Sequence, residues 1–298
     1  MPSASTTANP ALRCVRDARA SLGECPIWSV AEQVLYWVDI NAPALHRFDP
    51  ATGDDKVMPM PESIGCFALR RQGGFVIALR GGVWLARPDG RLERKVADAP
   101  YDPAHHRFND GRCDRQGRFW AGFMNEKRDA TSAALVRMDA QYRVTPVLSD
   151  IMISNGLAWS PDGRTMYHTD TPTRVIHAYD FDAASGQPSN RRVFAHFADP
   201  THRPDGAAVD SEGCYWTAFY GGGTVARLSR AGAVLAEFPV PAQCPTMWAF
   251  GGPDLKTLYV TSARQFRSDE ELARLPLSGG LFAMAVPVAG LPEPAFAG

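Results

Sequence analysis

Apolar residues in this chain come in short runs split by turn residues, and one run-turn-run figure returns at intervals of about 40 to 50 residues. Its fullest copy lies between Ile153 and Asp170. There Leu157 and Trp159 precede Ser160-Pro161-Asp162-Gly163, and Met166 and Tyr167 follow it. Pro presets φ at the second turn position and Gly accepts φ > 0, so the stretch predicts a hairpin of two half-buried strands. The same figure appears at Ile27–Asp39, Phe67–Ala78, Arg112–Gly122, Ala207–Ala218 and Trp248–Val260. Most copies are followed by a second hairpin, as at Leu45–Gly53, Val83–Gly90 and Val225–Gly232.

Two hairpins per unit make a four-stranded sheet, and repetition at this period means stacked supersecondary units. Six such units fill the chain, which predicts an all-β fold, a single six-bladed β-propeller of four-stranded blades. A pair of β-sandwiches is the alternative, but it leaves the regular spacing without a cause. Leu12 to Val15 reads as a lone strand with no local partner. We expect it to pair into the last blade around Gly280 to Val286 and close the ring, which leaves only short edges. Helical periodicity is confined to one turn at Ser268 to Arg274. Residues 1–10 are rich in Ser, Thr and Ala without periodicity and are expected to form a mobile tail, with residues 11–298 as the propeller domain.

Composition narrows the function more than the fold. Formal net charge is −1 and basic residues occur at most in pairs, so nucleic acid is not an expected partner. No apolar stretch approaches the roughly 20 residues that span a bilayer, and Arg13, Arg16 and Arg19 precede no signal-type core. The six cysteines show no CxxC or zinc spacing and read as reduced thiols of a cytoplasmic protein. No obligate protein partner is evident.

Candidate chemistry sits just ahead of the repeats. A propeller gathers the starts of its innermost strands around one channel mouth. Glu24 precedes the first copy, Arg107-Phe108-Asn109-Asp110-Gly111 the third, Asn155-Gly156 the fourth and Asp205-Gly206 the fifth. Glu24, Asn155 and Asp205 together offer two carboxylates and one amide oxygen, a set suited to a divalent cation. Two carboxylates facing each other without a cation repel. Taken singly, Asn-Gly and Asp-Gly are turn dipeptides, Glu24 is a solvated acid and Arg107 pairs with Asp102 or Asp110. His105-His106 read as solvent-facing, and Asp39, Asp114, Asp170 and Asp210 as turn and cap residues. What lifts the rim positions is their shared place in the repeat.

The chain resembles the SMP-30/gluconolactonase family, which includes regucalcin, over essentially its whole length. Leu22-Gly23-Glu24-Cys25-Pro26-Ile27-Trp28, Arg107–Gly111, Ile153–Leu157, Ser189-Asn190-Arg191-Arg192, Pro204-Asp205-Gly206 and Phe296-Ala297-Gly298 carry the resemblance. It implies a six-bladed propeller holding one divalent metal ion (Ca, Zn, Mn, Mg or Fe(II)) on Glu24, Asn155 and Asp205. It further implies that Asp205 is the catalytic general base and that Arg107 and Asn109 hold the substrate. Two departures stand out. Cys25 occupies a position usually Gly or Ser, its thiol expected to point away from Glu24. Where a substrate-contacting Glu is usual, counting from the Arg107 motif lands on Lys127, with Glu126 beside it. The implied activity is hydrolysis of a sugar-derived aldonolactone, and no G-x-S-x-G elbow offers a serine nucleophile instead. The alternatives are an esterase or phosphotriesterase on the same scaffold, and a calcium-binding propeller without catalysis. Specificity is expected in the loops Tyr101 to His106, Asn125 to Ala130 and Ala263 to Leu277.

Overall fold

Alternating short strands and tight turns fold here into six four-stranded antiparallel sheets, as the repeat requires. The computed structural model describes residues 11–298, so the expected mobile tail lies outside the described residues. Blades 1 to 5 take their strands in chain order, each running from the innermost strand outward. Their inner strands are Gly23–Ser29, Ile64–Leu69, His106–Cys113, Ser154–Trp159 and Pro204–Val209. Blade 6 is built from Cys244–Gly251, Thr257–Ala263 and Leu281–Ala285, and its outer place is taken by Arg13–Arg16. Arg13 pairs with Ala283 and Cys14 with Phe282, so the first described strand closes the ring as expected.

The inner strands are buried almost throughout and pack on one another in ring order, with Gly23–Ser29 against Cys244–Gly251. Outer strands such as Leu92–Asp98 are largely exposed. Between them lie the large side chains Trp37, Trp120, Trp216 and Trp248, all fully buried. Two of these indoles are tied to the acid six residues upstream: Trp120 Nε1 donates to Asp114 Oδ2 at 2.8 Å, and Trp216 Nε1 to Asp210 Oδ2 at 2.9 Å. The same acids accept turn amides from Gln116 and Glu212, so they lock the hairpin they start. All six cysteines are free thiols. The helical turn forms at Asp269–Arg274, capped by Ser268 Oγ, which accepts from Glu271 N.

One feature recurs in every blade. The inner strand breaks register near its start, between Glu24 and Ile27, Ile64 and Cys66, Phe108 and Gly111, Asn155 and Ala158, Pro204 and Ala207, and Pro245 and Trp248. A bulge sets an extra residue against the partner strand and re-aims the side chains beside it. All six bulges fall at the same end of the channel. The glycines there serve close packing: a Cβ on Gly206 would lie 2.3 Å from Met247 Cγ in the next blade. Across the other end runs the C-terminal segment. Gly290 N donates to Leu255 O, Glu293 pairs with Arg112 at 3.4 Å, and Phe296 N donates to Leu69 O, so the segment touches blades 6, 3 and 2.

Candidate active site at the channel mouth

Three of the six bulges carry the oxygen donors singled out in the sequence. Glu24, Asn155 and Asp205 all line one cavity of about 60 Å³ at the mouth, together with Arg107 and Asn109. The sequence places these residues on loops leading into the inner strands, whereas they lie inside the strands, at the bulges. The dipeptides Asn155-Gly156 and Asp205-Gly206 are therefore bulge residues. Gly156 takes φ of 65°, which an L side chain adopts only with strain.

Hydrogen bonds fix the orientation of the Asn155 amide. Thr171 Oγ1 donates to Pro204 O at 2.7 Å, so it accepts from Asn155 Nδ2 at 2.8 Å. The amide oxygen must then face the opposite way, where it accepts from Asn109 Nδ2 at 2.8 Å. A second lone pair on that oxygen stays free. Asn109 Nδ2 also donates to Ser154 O at 3.0 Å, and Asn109 Oδ1 accepts from Arg107 Nη1 at 2.8 Å. Both amide hydrogens of Asn109 are thus spent inside the protein, which leaves one Oδ1 lone pair for a ligand.

The two carboxylates are electrostatically short of partners. Glu24 Oε2 accepts from Cys25 N at 3.2 Å, and neither Glu24 nor Asp205 forms an ion pair among the described residues. Burial raises the Glu24 carboxyl well above its usual range, with Asp205 and Asp110 adding to the effect. Asp205 is raised likewise, by burial first and Asp110 second. Asp110 sits on the same bulge as Asn109; its Oδ2 accepts from Leu157 N, and its Oδ1 is buried without a partner. Two buried carboxylates, held high despite Arg107 nearby, and a pre-aimed amide oxygen fit a hard divalent ion.

Other expected residues fall elsewhere. Arg107 is buried and bonded to Phe108 O and Asn109 rather than paired with Asp102 or Asp110 on the surface. Glu126 is bound to Arg80 through contacts of 2.7 and 2.9 Å, which hold its carboxyl below the usual range, and lies 3.8 Å from Arg107 Nε. It is not part of the cavity wall. Lys127 is exposed, and it is Arg128 that lines the cavity, carried there by the turn after Asn125 with φ of 57°. Cys25 takes φ of 47° and its Sγ lies 3.7 Å from Phe67 O and Gly111 O, directed into the interior as expected. His106 bonds Ser132 Oγ and stays off the cavity. The motif Ser189–Arg192 is on the outer strand of blade 4, with Arg192 and Asn190 holding Asp180.

Thr171, Arg203, Tyr220 and Gln265 line the cavity without having been singled out in the sequence. Gln265 falls in a loop expected to set specificity. Arg203 adjoins the Pro204-Asp205-Gly206 motif, and that adjacency was the available signal. A second acidic group, Asp210, Glu212 and Cys214, gathers within 4.8 Å on blade 5. Asp210 there already accepts from two amides, Trp216 and Arg227, which makes the group a braced turn.

A six-bladed propeller with a buried acid-amide cluster at one mouth defines a class of small-molecule sites built across blades. The chain belongs to the SMP-30/gluconolactonase/LRE-like family, whose sequence model matches residues 22–264. It is 52% identical over 291 residues to a 6-deoxy-6-sulfogluconolactonase of Pseudomonas putida, covering 97% of this chain and 100% of the relative. It is 33% identical to regucalcin of Xenopus laevis, covering 96% and 98%. Its fold superposes with a TM-score of 0.92 on a calcium-binding regucalcin of Agrobacterium tumefaciens, 31% identical over 96% of this chain and 97% of the other. No helix among the described residues is long and apolar enough to cross a membrane.

Proposed function

We propose that this protein hydrolyses a sugar-derived aldonolactone to its aldonic acid at the channel mouth, with one divalent cation held by Glu24, Asn155 and Asp205. The observation behind this is the meeting of two buried carboxylates without an ion pair and a fixed amide oxygen in one cavity beside Arg107. The 52% identical relative named as a sulfogluconolactonase adds the substrate class.

When bound, the cation supplies Lewis-acid polarisation of the lactone carbonyl. Asp205, on the cavity wall, takes the proton from the attacking water. Asn109 holds Asn155 Oδ1 in place, and Arg107 holds Asn109. Arg107 also brings a positive charge to the cavity wall, which favours negative charge developing on the opening ring. Water adds to the carbonyl, the ring C–O bond breaks, and the released hydroxyl carries the proton that Asp205 returns. An all-oxygen donor set suits Ca, Mg and Mn and also accepts Zn or Fe(II).

The test is a panel of aldono-1,4- and 1,5-lactones run against a panel of divalent cations on chelator-stripped protein. Turnover should return with a cation and fall at least a hundredfold in Glu24→Ala, Asn155→Ala and Asp205→Ala. No lactone opened above its spontaneous rate, under any cation, ends the proposal. A second reading has the calcium-binding regucalcin of Agrobacterium tumefaciens behind it: calcium binding without catalysis. That reading expects tight calcium binding together with no turnover of any lactone in the panel.

A further inference from the structure

The cavity wall carries more positive charge than a neutral sugar needs. Arg107, Arg128 and Arg203 all line it, against the carboxylates of Glu24 and Asp205. A divalent cation on those carboxylates cancels them, and Arg107 is already engaged by Asn109, Phe108 O and Glu126. Neither Arg128 nor Arg203 makes an ion pair among the described residues, and of the two only Arg203 acts on the Asp205 charge.

Arg203 is built in rather than draped over the surface. Its Nε donates to Tyr220 O at 3.0 Å, and its guanidinium lies 5.2 Å from the Tyr220 ring. Neither terminal nitrogen makes a hydrogen bond among the described residues. Gly221 leaves room for them, since a Cβ there would come within 2.5 Å of Nη2. The Tyr220 hydroxyl is buried at the same cavity, with the Gln265 side chain as its near polar neighbour. Arg128 reaches the same cavity from a left-handed backbone position, with its side chain uncommitted. Two guanidinium groups and a phenol hydroxyl lining one cavity form a donor set for a multi-oxygen anion.

We infer that the substrate lactone carries an anionic group on the carbon remote from its carbonyl, and that Arg203 and Arg128, with the Tyr220 hydroxyl, bind that group. The inference rests on the lactonase reading and deepens it. A sulfonate, a phosphate and a carboxylate share the required chemistry. The sulfonate is favoured by the substrate named for the 52% identical relative. The carboxylates then serve the carbonyl end of the substrate and the guanidinium groups its far anion. The Arg-anion contacts hold equally in ground and transition states, so they act on KM more than on kcat.

The experiment compares cation-loaded wild type, Arg203→Met, Arg128→Met and Tyr220→Phe on glucono-1,5-lactone and on its 6-deoxy-6-sulfo, 6-phospho and 6-carboxylate counterparts. Wild type should favour one anionic lactone over the neutral one at least tenfold in kcat/KM, and the advantage should shrink as salt rises. Each Arg variant should cut that ratio by about tenfold to a hundredfold, mainly through KM, the size expected for a lost charge-assisted hydrogen bond. The best of the three anions identifies the group. Equal rates on neutral and anionic lactones in wild type, or Arg variants that leave the ratio unchanged, overturn the inference. Should no lactone be opened, the lactonase reading fails separately. Calorimetric binding of 6-deoxy-6-sulfogluconate against gluconate, in wild type and in the exposed-site variant Arg128→Met, then still decides the anion site. Sulfonate binding no tighter than gluconate binding overturns it.

Discussion

The amide of Asn155 shows how one oxygen is readied for a cation by groups that never touch the ion. Thr171 can accept from Asn155 only because its own proton goes to Pro204 O, so its hydroxyl decides which way the amide faces. Thr171→Val keeps the shape and removes that acceptor. We expect its divalent-cation affinity, measured by titration calorimetry, to fall by about ten- to a hundredfold, as for other outer-shell partners. Thr171→Ser should restore it, and a wild-type affinity in Thr171→Val would show that the amide is held by Asn109 alone. Asn155 is legible in the sequence as a polar residue where the repeat otherwise runs apolar. Thr171 is not: it lies 16 residues on, in the short turn Thr171–Thr173, and nothing in a local pattern marks a hydroxyl that acts across blades. Lys127 went the other way. Counting along the chain assumes an even path, and the left-handed residue at 128 delivers the next side chain to the cavity instead.

Strands and turns, the next scale up, show why hairpins are readable and bulges are not. Ser160-Pro161-Asp162-Gly163 closes as expected, with Gly163 N donating to Ser160 O at 2.8 Å and φ of 69° at Gly163. A polar-Gly dipeptide, by contrast, satisfies a turn and a bulge equally well, and only pairing with the second strand settles which forms. Behind the blade 4 bulge sits His168, fully buried and 2.8 Å from Ser154 Oγ. Burial pushes its imidazole down to about 3. The unfolded chain therefore binds a proton that the folded one refuses, starting near pH 6.5. The stability present above that value is lost as pH falls toward 3, by up to ~1.4 kcal/mol per pH unit for this one group. Glu24 and Asp205 act in the opposite direction, since their raised carboxyls favour the folded state on protonation. The clean measurement is a difference: urea unfolding of wild type and His168→Gln at pH 7, 5.5 and 4. The free-energy gap between them should narrow on acidification, and a constant gap would place the imidazole in contact with water.

At the scale of the whole molecule the ring is closed twice, by strand pairing at blade 6 and by the C-terminal segment at the far end. The first closure was legible because Leu12 to Val15 had no local partner. The second was not, because residues 286–298 carry Pro, Gly and Ala without a period and earn their place through single anchors. Phe296 is one: it is fully buried, with its ring 6.4 Å from Phe119, and its backbone pairs with Leu69 and Arg71. Phe296→Ala should cost about 3–5 kcal/mol in urea unfolding, the usual loss for a buried Phe. A cost near zero would mean that the segment adds nothing to the ring.

The proposed cation is a third tie, and it joins positions far apart in sequence. Glu24 lies in blade 1, Asn155 in blade 4 and Asp205 in blade 5, so a ligand common to all three exists only in the closed ring. Binding confined to the native state raises its stability by about 2.7 kcal/mol when free cation is a hundredfold above Kd. Without a cation the same residues are a liability, because burial raises both carboxyls and Asp205 raises Glu24 further. Asp205→Asn removes one of the charges while keeping the volume. Chelator-stripped Asp205→Asn should therefore melt no lower than stripped wild type, although it lacks a native side chain. On adding saturating calcium or manganese, wild type should gain several degrees and the variant much less. Wild type that melts at one temperature with and without cation, at every cation tried, would leave the two carboxylates without a shared ligand.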